Sequence, residues 1–240
     1  MKKIIVIGDI HGRNIWREIV NANPDADYYV FVGDYFDSFD ISSTEQIHNF
    51  REIIEFKNNN KDRVILLIGN HDIHYTKGCI GSYSGFNHNT YYNIFSELSD
   101  LVKEESIVAA FKINNLLFTH AGVTKTWCNN HKINILADVV EQLNDHLIFK
   151  PQVFMFQYGD KTSPYGEAIY QSPLWVRPTS LLEDAIDYIH IVGHTSSEEI
   201  KKNLESENKG CIVVDVLGNR KYLEIIIKDD NTNEFNDKDI

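Results

Sequence analysis

The sequence is poor in cysteine, in proline, in basic residues and in unbroken apolar stretches, and each shortage removes a class of protein. Cys79, Cys128 and Cys211 are odd in number and nowhere spaced as CxxC, so they build neither a disulfide framework nor a zinc knuckle. Five prolines and 13 glycines in 240 residues exclude collagen and low-complexity chains. No stretch approaches the roughly 18 to 20 consecutive apolar residues of a transmembrane helix. Lys2-Lys3 followed by Ile4 to Ile7 is far shorter than the apolar region of a signal peptide. A reducing, cytoplasmic setting is expected. Twenty-three basic residues against 35 acidic ones leave a formal charge of -12, which opposes broad binding to nucleic acid or to an anionic membrane. Exposed charges are screened beyond about 8 Å at physiological salt, so a locally positive pocket remains compatible with an acidic surface.

What is present is a core-forming chain, 42% hydrophobic. Short runs rich in Ile and Val recur at Ile4 to Ile7, Tyr28 to Val32, Val64 to Ile68, Ile107 to Phe111, Leu116 to Thr119, Ile189 to Val192, Ile212 to Val216 and Tyr222 to Ile227; they read as buried strands. Helical spacing covers Asn14 to Asn21, Thr44 to Lys57, Thr90 to Leu101, Ile133 to Leu147 and Ser180 to Asp187. The early alternation of strand and helix predicts βαβ units. Asn114-Asn115 predicts a hairpin, and Gly218-Asn219 predicts a second one joining the last two strands. The expectation is an α/β protein with mixed sheets, one domain over residues 1–227 and a loosely held polar tail over 228–240. Lys150 to Pro178, which holds four of the five prolines, reads as an ordered excursion over the core.

Several strands end alike, with an apolar run, a small residue and then a side chain able to bind metal. The segments are Gly8-Asp9-Ile10-His11-Gly12, Gly33-Asp34-Tyr35-Phe36-Asp37, Gly69-Asn70-His71-Asp72, Thr119-His120-Ala121-Gly122 and Gly193-His194-Thr195. Carboxyl ends of neighbouring strands converge in open α/β sheets. Any one of these residues is more often a helix cap, a turn residue or a packed histidine. Together, two Asp, one Asn and three His make an oxygen and nitrogen donor set suited to Mn, Fe, Zn or a similar ion. A Rossmann turn is excluded because no GxGxxG follows the first strand and a carboxylate occupies the pyrophosphate position. A P-loop and a GxSxG elbow are absent too.

The motifs GDIHG, GDYFD, GNHD, THAG and GHT, in that order, resemble those of the calcineurin-like metallophosphoesterases. They are most similar to the phosphoprotein-phosphatase branch, which includes small bacterial and phage phosphatases and symmetrical dinucleoside tetraphosphate hydrolases. The resemblance spans residues 4 to 227. It implies a four-layer α-β-β-α sandwich of two mixed sheets with the site at the strand ends. It implies two divalent ions, Mn first, with Fe, Zn or others as alternatives: Asp9, His11 and Asp34 on one, and Asp34, Asn70, His120 and His194 on the other. Asp34 would bridge the ions, and a bridging hydroxide would attack the phosphorus.

The same resemblance makes His71 the general acid and Asp37 the residue that orients it, with Asp72 a weaker candidate. Asp37 also fits an ordinary turn carboxylate. The sequence departs from the family where GDxxDRG should close: Ser38 and Phe39 stand in place of the Arg and Gly, and the missing arginine normally clamps phosphate. Arg177 falls where the family's other phosphate-binding arginine lies, and is read as a catalytic residue or a surface residue packed by Trp175 and Pro178. The expected activity is hydrolysis of phosphomonoesters, including protein phosphoserine or phosphothreonine, with dinucleoside polyphosphates or phosphodiesters as the alternative. The expected partner is a phosphorylated protein or small phosphoester. His48, His74, His131 and His190 are expected to be structural or on the surface. Tyr91-Tyr92, Trp127 and Phe154 to Phe156 are left unassigned between the core and a ring-stacking role.

Overall fold

The computed structural model describes residues 1–79, 82–158 and 167–240. Two mixed five-stranded sheets pack face to face, as the α/β sandwich expectation requires. The first sheet has the order β10-β9-β1-β2-β3, from β1 (Lys2–Ile7), β2 (Tyr28–Phe31), β3 (Val64–Leu66), β9 (Lys221–Ile227) and β10 (Asn233–Asp239). The second has the order β4-β5-β6-β8-β7, from β4 (Ala110–Ile113), β5 (Leu116–Thr119), β6 (Ile189–Val192), β7 (Lys201–Ser206) and β8 (Lys209–Val213). β1, β2 and β3 run parallel, as do β5, β6 and β8. Each parallel trio therefore delivers its carboxyl ends to one edge of the sandwich.

The strands are apolar on both faces because both faces are covered. Ile4 and Val6 of β1 point into the core between the sheets with Phe118, Ile191, Ile212 and Leu223. Ile5 and Ile7 face outward onto α1 (Trp16–Ala22) and α2 (Ser43–Asn59), where Trp16, Ile19, Phe50 and Ile53 complete the layer. α7 (Pro178–Asp184) covers the outer face of the second sheet through Leu181 against Val192, Cys211 and Val213. α2 starts where Ser42 and Glu45 form a reciprocal capping box. α3 (Asn70–Ile73) follows β3, α4 (His88–Lys103) is capped by Asn87, α5 (Lys125–Asn130) by Thr124 and α6 (Val139–Phe149) by Asp138. α6 begins later than its periodicity suggests because that cap closes the preceding turn. No helix among the described residues is long and apolar enough to cross a membrane.

Two expectations are corrected. Residues 228–240 are polar but include β10, which pairs with β9 over its whole length. The sequence hides this strand because it is an edge, solvated and charged, with no apolar face to repeat. The same holds for β7, exposed at every position. Gly218-Asn219 does not turn a hairpin, since β8 and β9 lie in different sheets and the chain crosses between them through a 3-10 turn at Leu217–Asn219. The Asn114-Asn115 hairpin between β4 and β5 forms, with Asn114 at a φ of 52°.

Candidate metal centre

The carboxyl ends of the six parallel strands meet in a cavity of about 530 Å³. Asp9, His11, Asp34, Asn70, His71, Arg177 and His194 line it. His120 lies directly behind, its Nε2 2.7 Å from Asn70 Oδ1, and Asp37 stands behind His71 at 2.9 Å from its Nδ1. The loops that carry these groups extend the sheet ladders: His11 N–H donates to Asp34 C=O, and Gly193 N–H to His120 C=O. Four of the residues, His11, Asp34, Asp37 and His194, sit at φ of 41°, 54°, 64° and 62°. Left-handed backbone at non-glycine residues costs energy and is retained where the surroundings demand it, commonly at functional sites. Glycine is required at two neighbours for closeness of approach. A Cβ on Gly69 would strike Asp34 Oδ1, and one on Gly193 would strike Asp9 Oδ1.

The imidazoles are aimed by hydrogen bonds at their far nitrogens. His11 Nδ1 lies 2.7 Å from Phe36 O and His120 Nδ1 2.7 Å from Val32 O. A carbonyl accepts only, so each Nδ1 is the protonated nitrogen and each Nε2 keeps a lone pair facing the cluster. His11 Nε2 is 3.7 Å and His120 Nε2 3.5 Å from Asp34 Oδ2. His194 turns Nδ1 inward, 2.8 Å from Asn70 Oδ1. Asp9, Asp34 and His120 hold ligand atoms within 4.8 Å of one another.

The electrostatics fit a cation. Burial lowers the pKa of His11, His120 and His194, holding them neutral as ligands must be. Burial also raises Asp9 well above the usual carboxylate range, and the charges of Asp215 and Asp34 add to it. Asp34 is held low despite its burial, by His120, His71 and His11. Such crowding of buried carboxylates is relieved by positive charge, and the donor set of Asp9, His11, Asp34, Asn70, His120 and His194 is one that hard or borderline divalent ions accept.

Two residues enter the site that the motifs did not single out. Asp215 follows β8 as Asp9 follows β1 and lines the same cavity, with burial and Asp34 pushing its pKa up to about 6. The signal was an apolar strand ending in Asp, without the glycine that marked the others. His74, expected to be structural or on the surface, is buried with Nε2 2.8 Å from Asp37 Oδ2. Asp72 does not face the cavity. Its carboxylate accepts N–H groups of Asp34 at 2.8 Å, Gly69 at 2.7 Å and Tyr35 at 2.7 Å, tying the second and third motifs together. Ser38, at the missing arginine's position, also lies outside the cavity, where its Oγ accepts from Ile41 N. Arg177 Nη1 donates to His194 O and Thr195 Oγ1, both at 3.2 Å. Trp127 and Phe154 are core, Tyr92 is exposed, and Phe156 lines the cavity.

The sequence profile of the calcineurin-like phosphoesterases (Metallophos) matches residues 2–209. The chain belongs to that family. It is accordingly a metal-dependent phosphoester hydrolase of a family that uses two divalent ions. Its architecture is similar to that of a metallophosphoesterase from Sphaerobacter thermophilus, at 13% identity and a TM-score of 0.48, over 99% of this chain and 88% of the other. A Thermotoga maritima protein solved by solution NMR is 11% identical, with a TM-score of 0.42, and the match covers 100% of both chains. A search of curated proteins finds no match.

Proposed function

We propose that this phosphoesterase hydrolyses phosphomonoesters, in the manner of the phosphoprotein-phosphatase branch of its family. The observation that carries the reading is the pairing of His71 with Asp37 at the edge of the donor cluster, 2.9 Å apart. An ester's leaving alkoxide is strongly basic and needs a proton as it departs, whereas the phosphate released from an anhydride does not. Burial opposes charge on His71, but Asp34 and Asp37 outweigh it and push its pKa up to about 9. Paired with Asp37 at the edge of the cluster, His71 can serve as the proton donor, and Asp37 fixes which nitrogen faces the cavity.

Two divalent cations held by Asp9, His11, Asp34, Asn70, His120 and His194, with Mn the first choice, would supply positive charge against the phosphate and acidity to a water. Arg177 adds a guanidinium on the cavity wall, where it would orient phosphate oxygens. The partner on this reading is a phosphorylated protein or small phosphoester, and the three free cysteines accord with a cytoplasmic location.

The test is turnover by the Mn-reconstituted protein of para-nitrophenyl phosphate, a phosphoserine peptide, diadenosine tetraphosphate and a bis-nitrophenyl diester. The monoesters should be cleaved fastest. Faster cleavage of the tetraphosphate or the diester would overturn the assignment in favour of an anhydride hydrolase or a diesterase.

A further inference from the structure

One wall of the cavity is built of rings. Tyr83, Phe156, Tyr158 and Trp175 line it together with the acidic cluster. Trp175 is the hub, with its centroid 4.5 Å from Tyr83, 5.1 Å from Phe156 and 5.7 Å from His194, each edge to face. Phe156 in turn lies 5.2 Å from Tyr158. Trp175 packs against the main core as well as lining the cavity. Phe154, two residues before Phe156, is buried against Trp127, while Tyr158 is 88% exposed at the cavity's edge. An exposed aromatic beside other rings is costly in water unless something covers it.

The wall is also held rigidly, which a merely tolerated surface would not need. Tyr83 Oη accepts the Phe156 N–H at 2.9 Å. The Gln171 side chain, 1% exposed, holds the next residue from both sides: its Oε1 accepts Gln157 N–H at 3.1 Å and its Nε2 donates to Gln157 C=O at 2.7 Å. Phe156 is thus fixed between two anchors, and Tyr158 follows directly. Preorganised aromatic faces beside a few convergent polar groups are how small-molecule sites bind planar ligands.

We propose that this wall selects phosphoesters that carry a planar aromatic group close to the phosphate. The inference rests on the cavity being the phosphoesterase site, and it narrows the substrate within that reading. A ring stacked on Trp175, with Phe156 at its edge, would lie beside His194, whose ring centroid is 5.7 Å from the indole, so the aromatic group must be joined to the phosphorus through few bonds. An aryl ester meets this, and so does a nucleotide whose base folds back over the wall. Stacking on aromatic side chains does not require a particular ring, so both share one recognition chemistry.

Binding separates the wall's role from catalysis. Calorimetric titration of the Mn-reconstituted protein with phenylphosphonate and with ethylphosphonate, neither of which is hydrolysed, compares a ring with an alkyl group on the same anion. The phenyl compound should bind about tenfold tighter, the size expected for a stacked ring. In Phe156→Leu and in Trp175→Leu the difference should shrink below about threefold while ethylphosphonate affinity stays within twofold. Equal affinities in the wild type, no binding of either anion, or variants that weaken both ligands alike would overturn the proposal. A third arm with the phosphorothioate of adenosine identifies the source: tighter binding than phenylphosphonate points to nucleotides, weaker to aryl esters. Ring selectivity in a protein that turns over no monoester would leave the wall standing and remove the monoesterase reading instead.

Discussion

His71 and His74 share one carboxylate oxygen: Oδ2 of Asp37 lies 2.9 Å from Nδ1 of the first and 2.8 Å from Nε2 of the second. The hydroxyl of Tyr75 donates to the other oxygen. Asp37 is buried, which alone would raise its pKa, yet His71, His74 and Tyr75 hold it below the usual carboxylate range. The carboxylate is thus held ionised among three side chains, and its contact with Nδ1 orients the His71 ring. An ordinary turn residue would have solvent in place of these partners, so the geometry favours the orienting role for Asp37.

His71→Asn should lower turnover of a poor leaving group by on the order of 10² to 10⁴ while metal content stays near wild type, as expected when a general acid is lost. Asp34→Asn should instead lose metal, because it removes the carboxylate that both His11 and His120 face. Elemental analysis beside the kinetics separates the two. Equal loss of metal in both variants would refute the division into acid and ligand.

On the proposed mechanism, His74 acts on the reaction only through Asp37, which it meets at 2.8 Å. His74→Asn should reduce kcat on the order of 10-fold with KM little changed, the scale seen when an outer hydrogen-bond partner of a working group is removed. The loss should be larger for alkyl than for activated aryl esters, since only the former lean on the proton from His71. A uniform loss across leaving groups would make His74 a packing residue.

Asp72 is a clamp. Asp72→Ala leaves the N–H groups of Asp34, Tyr35 and Gly69 without their acceptor. At about 1 to 3 kcal/mol for each buried unmet donor, denaturant unfolding should show a loss of at least about 3 kcal/mol. Metal affinity should fall with it, because Asp34 and Asn70 are positioned by the loops Asp72 joins. A loss under about 1 kcal/mol would mean that other contacts hold the loops.

Arg177 tests how the chain manages without an arginine at position 38. Its guanidinium faces the metal cavity and is tied to the His194 loop, whereas Ser38 is turned away. Arg177→Ala should cost about 2 to 4 kcal/mol in kcat/KM on a monoester, as for loss of a positioned donor at a developing anion. A change smaller than threefold with metal retained would take Arg177 out of the phosphate site.

The sequence made legible what repeats and what is buried. β1, β2, β5 and β6 are apolar on both faces and stand out as runs, and their ends carry Asp9, Asp34, His120 and His194. Illegible were features set by tertiary neighbours. β7 and β10 take their pairing from β8 and β9, not from any pattern of their own. Asp72 and Asp37 stand in like motif positions, yet one clamps backbone and the other meets imidazoles, a distinction made by which loop folds over each. Phe154 and Phe156 differ by one alternation, and only packing against Trp127 or Trp175 decides which is core.

His190 provides a pH signature independent of the metal site. It sits in β6, fully buried, with Nε2 3.1 Å from Ile186 O and Nδ1 unpartnered among the described residues. Burial pushes its pKa down from 6.5 to about 4. Above pH 6.5 the ring is neutral folded and unfolded, and its full contribution to stability is present. As pH falls from 6.5 towards 4 the unfolded chain takes up a proton that the fold refuses, so stability declines, by about 3 kcal/mol at most, and levels off below. His190→Leu removes that proton. The difference in unfolding free energy between variant and wild type should therefore shift in the variant's favour across this window and stay constant at higher pH. Parallel curves from pH 7 to 4 would show that His190 does not carry the linkage.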